Sequence, residues 1–368
     1  MNRPRLVILA ATMIALMFAA CSSTPGGSAA GTTKVRLQLK WVAQAQFAGY
    51  YAAVDQGYYK AEGLDVQLLL GGPDIDPVRV VASDGAEFGT TWLPAMLAAR
   101  EGGADVLDIS QVFQRSGTLE VSFKDKNITK PEDWKGKKIG SWLGGNEPEL
   151  FAALNKVNIN PDDKSQVSII KQDFDMSGLL SGDLDAAQAM IYNEYAQVLE
   201  AKNPATGNLY TADDLNVISL NEVGTGMLQD AIFARDSFLK KAGNEDIAVK
   251  FLKASLQGWI YCRDNSQKCV DIVLKAGSKL GASHQAWQMN EINGLIWPSP
   301  NGIGALDKAA WDQTVSIATT YKVLKSQPTD GAFRTDLNEK ALAALGTGAD
   351  TKGASWTKAT VTLNEGGN

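Results

Sequence analysis

Histidine occurs once in this 368-residue chain, at position 284, and cysteine three times, at 21, 262 and 269. That scarcity excludes much chemistry. A metal centre of His and Cys, a Cys–His nucleophile pair and a Ser–His–Asp order all need residue types that cluster nowhere here. His284 falls in a C-terminal helical stretch, far in sequence from the aromatic positions discussed below. Neither glycine-rich turn, 71–74 or 144–147, is followed by Gly-Lys-Ser/Thr, so neither is a phosphate loop. Each could still offer backbone N–H groups at a helix start. The apolar run at 6–20 falls short of the roughly 20 residues a spanning helix needs. Positive charge is not in excess either: 35 Lys and Arg against 41 Asp and Glu give −6. That argues against nucleic acid and against a broad electrostatic hold on anionic lipid. No catalytic group, cofactor or metal is expected.

Arg3 and Arg5 precede the apolar run, which ends in Phe18-Ala19-Ala20-Cys21. A basic start, a short apolar stretch and small residues at the break make residues 1–20 a secretory signal peptide. Removing Arg3 and Arg5 leaves 33 basic against 41 acidic residues, or −8. Small residues directly before a cysteine resemble the lipobox of bacterial lipoproteins, with Phe18 where Leu is usual. The resemblance implies that Cys21 is lipidated and becomes the mature N-terminus, anchored at the extracytoplasmic face of the cell membrane. Residues 21–33, rich in Ser, Thr, Gly and Ala, read as a flexible tether.

Strand-like and helix-like segments then alternate, which predicts an α/β fold rich in parallel strands. Strands are expected at 35–40, 64–70, 86–91, 106–113, 119–123, 137–141, 167–171 and 186–191. Helices are expected at 45–56, with Gly57 as a stop signal, at 77–82 behind an Asp76 cap with Pro77 at the first helical position, and from Pro94. The stretch after Ser237 is helical and has no strands of its own, so it packs back on the first unit. Lobe 1 is predicted over 34–118 plus 228–345 and lobe 2 over 119–227, with 346–368 left as a C-terminal tail. Crossings near 115–124 and 222–232 link the lobes, and a hinged pair can close around a ligand. Cys262 and Cys269 flank a short corner between two helices, where an exported compartment favours a disulfide over free thiols.

Six aromatic residues occupy the nineteen positions from Trp41 to Tyr59, in a chain that is 8% aromatic. Phe47, Tyr51 and Val54 lie at helical spacing and read as core. Trp134 and Trp311, flanked by charges, read as packing residues. Trp41, Trp92, Trp142 and Tyr192 share a different address, each just after an expected strand. In open α/β sheets ligands bind beyond the carboxyl ends of the strands. Gln44, Gln46, Asn146, Asn193 and Glu194 accompany them, with Tyr50 as a further candidate. Aromatic faces with amide and carboxylate groups beside them suit a flat, nitrogen-rich ring. Each member also has a plainer reading: a core tryptophan, or for Glu194 a solvated residue favoured in a helix's first turn.

Trp41 with its polar turn, Phe47-Ala-Gly-Tyr-Tyr-Ala-Ala53, the run Gly57–Val66, Gly71-Gly-Pro73, Ala86-Glu-Phe-Gly89 and Lys135-Gly-Lys-Lys-Ile-Gly140 resemble ABC-transporter substrate-binding proteins. The likeness, over about residues 34–325, is to the thiamine-pyrimidine-precursor, nitrate, sulfonate and riboflavin-type group. It implies a two-lobed type II periplasmic-binding-protein fold with two hinge crossings and a small molecule in the interlobe cleft. It also implies a monomer working with a permease and a cytoplasmic ATPase. Gly71-Gly-Pro73 and Met190-Ile-Tyr-Asn-Glu194 look most like the pyrimidine-precursor and riboflavin branches. In those branches residues matching Trp41, Asn193 and Glu194 hold the ring. The pyrimidine branch often has Asn in the turn after that tryptophan, where this chain has Val42-Ala43-Gln44-Ala45-Gln46. A thiamine pyrimidine precursor is the first expectation, a flavin-like ring the second. Sulfonate or nitrate is third, because the strand ends offer aromatics rather than Arg or Lys. Relatives that synthesise the pyrimidine need an active-site histidine and a cysteine cluster, which the matching region lacks, so an enzyme is not expected.

Overall fold

The computed structural model describes residues 32–143 and 145–368. The signal segment, Cys21 and the tether through residue 31 lie outside the described residues. Ten strands follow in chain order: β1 (Thr33–Gln38), β2 (Leu64–Leu69), β3 (Phe88–Thr91), β4 (Leu107–Gln111), β5 (Thr118–Phe123), β6 (Lys138–Ser141), β7 (Ser168–Lys171), β8 (Ala186–Met190), β9 (Leu215–Ser219) and β10 (Ala231–Ala234). They make two five-stranded sheets of the same plan, β2-β1-β3-β10-β4 and β7-β6-β8-β5-β9. In each, four strands run in the same direction, and the strand that has just crossed from the other lobe inserts antiparallel: β10 between β3 and β4, β5 between β8 and β9.

Local chemistry sets these elements. Val35 and Leu37 alternate into the core of β1, as a half-buried strand requires. The helix Pro77–Ala82 starts where the Asp76 carboxylate accepts from the N–H groups of Val78 at 2.9 Å and Arg79 at 3.3 Å. Gly57 takes a left-handed φ of 72°, open to glycine at little cost, and turns the chain after Ala48–Asp55. Two strands differ from the sequence reading. β9 and β10 fall in or beside the stretch read as crossing. β10 is four residues, all buried, with no alternation to mark it. The expected stripe at 47–54 also divides: Phe47 is buried, but Val54 is 41% exposed.

The chain passes between the sheets at residues 112–117 and 220–230, and the two crossings are bonded to each other. Gln229 accepts from the Gly117 N–H at 3.0 Å and donates to the Thr118 hydroxyl at 2.8 Å. Glu149, from the helix Pro148–Lys156, accepts from the Ser116 hydroxyl at 2.7 Å and from the Met227 N–H at 3.0 Å. Beyond β10, the helix Asn244–Asp264 packs on Ala48–Asp55. Cys262 and Cys269 are joined by a disulfide, with Cα atoms 5.5 Å apart. The tail runs back along the helix Ala282–Ile296. Ala359 exchanges two hydrogen bonds with Asn290, Lys358 pairs with Glu291, and the Gly366 N–H reaches the Glu200 carbonyl at 3.2 Å. Among the described residues no helix is long and apolar enough to cross a membrane.

Candidate functional site

The carboxyl ends of the parallel strands in both sheets face one cavity of about 410 Å³. Nine of the ten expected residues line it: Trp41, Gln44, Gln46 and Trp92 from the first lobe, and Trp142, Asn146, Tyr192, Asn193 and Glu194 from the second. Tyr50 does not. It is 2% exposed and packs edge-on against Trp259, with ring centroids 5.6 Å apart, so helical periodicity turns it into the core. Trp134 and Trp311 are both buried in packing clusters.

Phe174 and Lys40 complete the walls and were not singled out from sequence. Phe174, 44% exposed, follows β7 in an Asp-Phe-Asp turn. Its ring lies 4.8 Å from that of Trp41 across the cleft and stacks at 12° with Trp142 at 6.3 Å. Three aromatic rings from two lobes thus meet at the cleft. Lys40 places its ammonium 4.8 Å from the Trp92 ring centroid. Its side chain keeps some solvent contact, but burial lowers its pKa, while Asp230 and Asp76 pull it back up. The premise that the strand ends carry no lysine is therefore corrected. Yet the same cavity is lined by Asp74, Asp76 and Glu194, so one cation faces three carboxylates.

Each wall is held from behind. Gln44 donates to Gln46 at 2.7 Å, and Gln46 donates to both carboxylate oxygens of Asp230 at 3.2 and 3.0 Å. Burial pushes Asp230 up to about 6, against the pull of Gln46 and Lys40. The backbone N–H groups of Ala45 and Gln46 are capped by Gln285 at 2.7 Å and Gln288 at 3.3 Å. Across the cleft, fully buried Gln188 accepts from the Ser141 hydroxyl at 2.8 Å and donates to the Asn146 carbonyl at 2.7 Å, fixing the turn around Trp142. The Trp142 indole donates to the Asp173 carbonyl at 3.2 Å, and so ties Trp142 to the turn that carries Phe174.

At the far edge, Asn193 donates to Glu194 at 2.6 Å, and Glu194 accepts from the Met190 N–H at 2.9 Å. Burial raises the pKa of Glu194, opposed by those two bonds and by His284. Burial, with Asp230 and Glu194 beside it, holds the Tyr192 phenol well above its ordinary value. His284, distant in sequence, lies 2.9 Å from Asn193. Among the described residues, no group of three or more His, Cys, Asp or Glu side chains could hold a metal.

The family described as "NMT1/THI5 like" matches residues 44–269, more than half of the chain. The chain belongs to the NMT1/THI5-like family. Its relatives include a formylaminopyrimidine-binding protein of Halalkalibacterium halodurans, 20% identical over 84% of this chain and 92% of that one. A riboflavin-binding protein, RibY, of Chloroflexus aurantiacus is 24% identical over 88% of this chain and 94% of its own. Fungal relatives are named as synthases; that of Aspergillus parasiticus, 4-amino-5-hydroxymethyl-2-methylpyrimidine phosphate synthase, is 26% identical over 61% of this chain and 65% of its own. Among solved structures, the alkanesulfonate-binding protein SsuA of Xanthomonas axonopodis pv. citri, bound to MOPS, superposes with a TM-score of 0.61 at 13% identity, over 83% of this chain and all of the other. This NMT1/THI5-like chain thus has the two-lobed α/β fold of solute-binding proteins.

Proposed function

We propose that this chain is the solute-binding lipoprotein of an ABC importer, anchored outside the cytoplasm through Cys21. It captures an aromatic N-heterocycle of the thiamine-pyrimidine-precursor type in the cleft and delivers it, as a monomer, to a permease driven by a cytoplasmic ATPase. The observation that carries this reading is the meeting of Trp41, Phe174 and Trp142 from two lobes, beside the amide and carboxylate of Asn193 and Glu194. Stacked rings contribute about 0.5–1.5 kcal/mol per pair beyond area burial, and the polar pair supplies in-plane hydrogen bonds to a ring edge. The excess of carboxylates over Lys40 disfavours sulfonate and nitrate, because like charges repel an anion in the cleft. The relatives that cover most of the chain are named as binding proteins, which supports transport over synthesis.

A thermal-shift panel of pyrimidines, flavins, sulfonates and nitrate tests the reading. A ligand at 100 times its Kd adds about 2.7 kcal/mol of stability. A shift with a pyrimidine is expected; a shift with a flavin alone would move the assignment to riboflavin, and a shift with anions alone would sink the aromatic clamp. Trp41→Ala is expected to weaken the ligand so found by about tenfold or more, as losing one stacked, buried ring face removes at least about 1.4 kcal/mol. Unchanged affinity by titration calorimetry would remove Trp41 from the site.

A further inference from the structure

The cavity's polar edge is tied to a side chain that does not touch the cavity. His284 stands on the helix Ala282–Ile296, beyond the second crossing, and is 1% exposed. Its Nδ1 lies 3.0 Å from both carboxylate oxygens of Glu200, and its Nε2 lies 2.9 Å from Oδ1 of Asn193. Asn193 and Glu200 are the residues at the two ends of the helix Glu194–Leu199. One imidazole from the C-terminal helices therefore spans that helix of the second lobe, cap to cap. The tail backs the same place, through the Gly366 N–H on the Glu200 carbonyl.

We infer that His284 is a positioning residue for the site: together with Glu200 it fixes the side-chain amide of Asn193, and so the order in which Asn193 and Glu194 offer a donor and an acceptor to the ligand. This rests on the binding reading above. Both Glu194 oxygens accept, one from the Met190 N–H and one from Asn193 Nδ2 at 2.6 Å, so the amide turns its Oδ1 to the imidazole. With the Glu200 carboxylate at Nδ1, the inferred arrangement has both ring nitrogens donating. Turning the amide over would set oxygen against carboxylate on one side and N–H against N–H on the other. Two mismatched buried contacts forbid it, because an unmatched buried polar group costs the full loss of its hydration.

The fixed amide has a second N–H, and Glu194, already accepting from Met190 and Asn193, has further lone pairs. Both residues line the cavity. A donor beside an acceptor complements the N–C–NH2 edge of an aminopyrimidine, where a ring nitrogen accepts and the exocyclic amine donates. A pyrimidinone offers N–H and C=O in the reverse order. It matches the pair only by turning over, which moves its other substituents. A site that fixes its hydrogen-bonding groups can reject such an analogue strongly. His284 thus acts on selectivity through Asn193.

Two substitutions separate positioning from structural support. His284→Gln sets a donor near Nε2 and retains the bond to Asn193; His284→Asn sets one near Nδ1 and retains only the bond to Glu200. Affinities for 4-amino-5-hydroxymethyl-2-methylpyrimidine and its 4-oxo counterpart are measured by calorimetry for the whole protein. The wild type is expected to prefer the amino compound. H284N is expected to lose about tenfold of that preference and H284Q to keep it within about threefold. An unchanged preference in H284N, or an equal loss in H284Q, would overturn the inference. If neither pyrimidine binds the wild type, the binding reading fails instead, and NMR of the free protein decides this one. The chain has a single histidine, so its ring signals need no assignment. Two ring N–H protons in the wild type, and an Asn193 amide displaced in H284N but not in H284Q, are expected; one ring N–H, or an unmoved amide in H284N, would refute it.

Discussion

Gly258→Ala is expected to destabilise the protein by about 3 kcal/mol, a large loss for one methyl group. The helices Ala48–Asp55 and Asn244–Asp264 cross with Gly49 and Gly258 in the seam. A Cβ on Gly258 would lie 1.9 Å from the Gly49 carbonyl oxygen and 3.0 Å from the Ala53 Cβ. The first obstacle is backbone, so no rotamer change relieves it; the helices must part. Trp259, fully buried, packs beside them, edge-on to Tyr50 and Phe113, and Phe113 meets Tyr192 of the cavity wall at 6.4 Å. Separation of the helices therefore also disturbs the site. Gly294→Ala is the control. It too is helical, its Cβ would meet nothing closer than 3.7 Å, and the loss of chain entropy in the unfolded state should stabilise by about 0.4–1 kcal/mol. Denaturant midpoints read both; a Gly258→Ala protein as stable as wild type would show that the seam can open without cost.

What could be read from sequence, and what could not, divides along the range of the interaction. Trp92 and Trp142 follow β3 and β6 directly, because strand period and strand end are local properties. Trp41 sits three residues beyond β1, and its turn is closed by Gly71 N–H bonding to its carbonyl at 2.9 Å. Tyr50 was misplaced because a helical stripe says which residues share a face, not which member of that face meets a ligand. Lys40 continues the polar alternation of β1, whose other members include half-buried Arg36, so nothing local distinguishes it. Phe174 lies three residues past a recognised strand, and scanning a few positions beyond each strand end would have found it. His284, Gln285, Gln288 and Asp230 support residues 91 to 242 positions away. No periodicity carries information over that distance; only the packing of the C-terminal helices against the Trp41 turn and the second lobe brings them there.

Stability is expected to fall as pH rises from about 4.5 to about 7, and Glu149→Gln is expected to flatten that fall by about 3 kcal/mol. Glu149 is 4% exposed, and burial lifts its pKa from 4.5 to about 7, although Ser116, the Met227 N–H and Gln229 all favour the charged form. At roughly 1.36 kcal/mol per unit of pKa, that rise corresponds to about 3 kcal/mol. Because the folded value is the higher one, the folded state holds the extra proton between the two values. Its contribution is full below pH 4.5, the value for the unfolded chain, and is lost as pH rises through 7. Asp108, buried and also lifted to about 7, acts with the same sign and remains in the variant, so some slope should persist. Glutamine keeps an oxygen for Met227 and Gln229 but leaves the Ser116 hydroxyl without its acceptor, so the variant should start lower at acid pH and cross the wild type as pH rises. The crossing matters for the proposed binding role, because Glu149 bonds both chain segments between the lobes. If the lobes move about these segments, deprotonation sets a charge in the joint with no cation among its hydrogen-bond partners. Parallel stability curves for the two proteins across this range would show that Glu149 is ionised at no cost and that the joint is indifferent to pH.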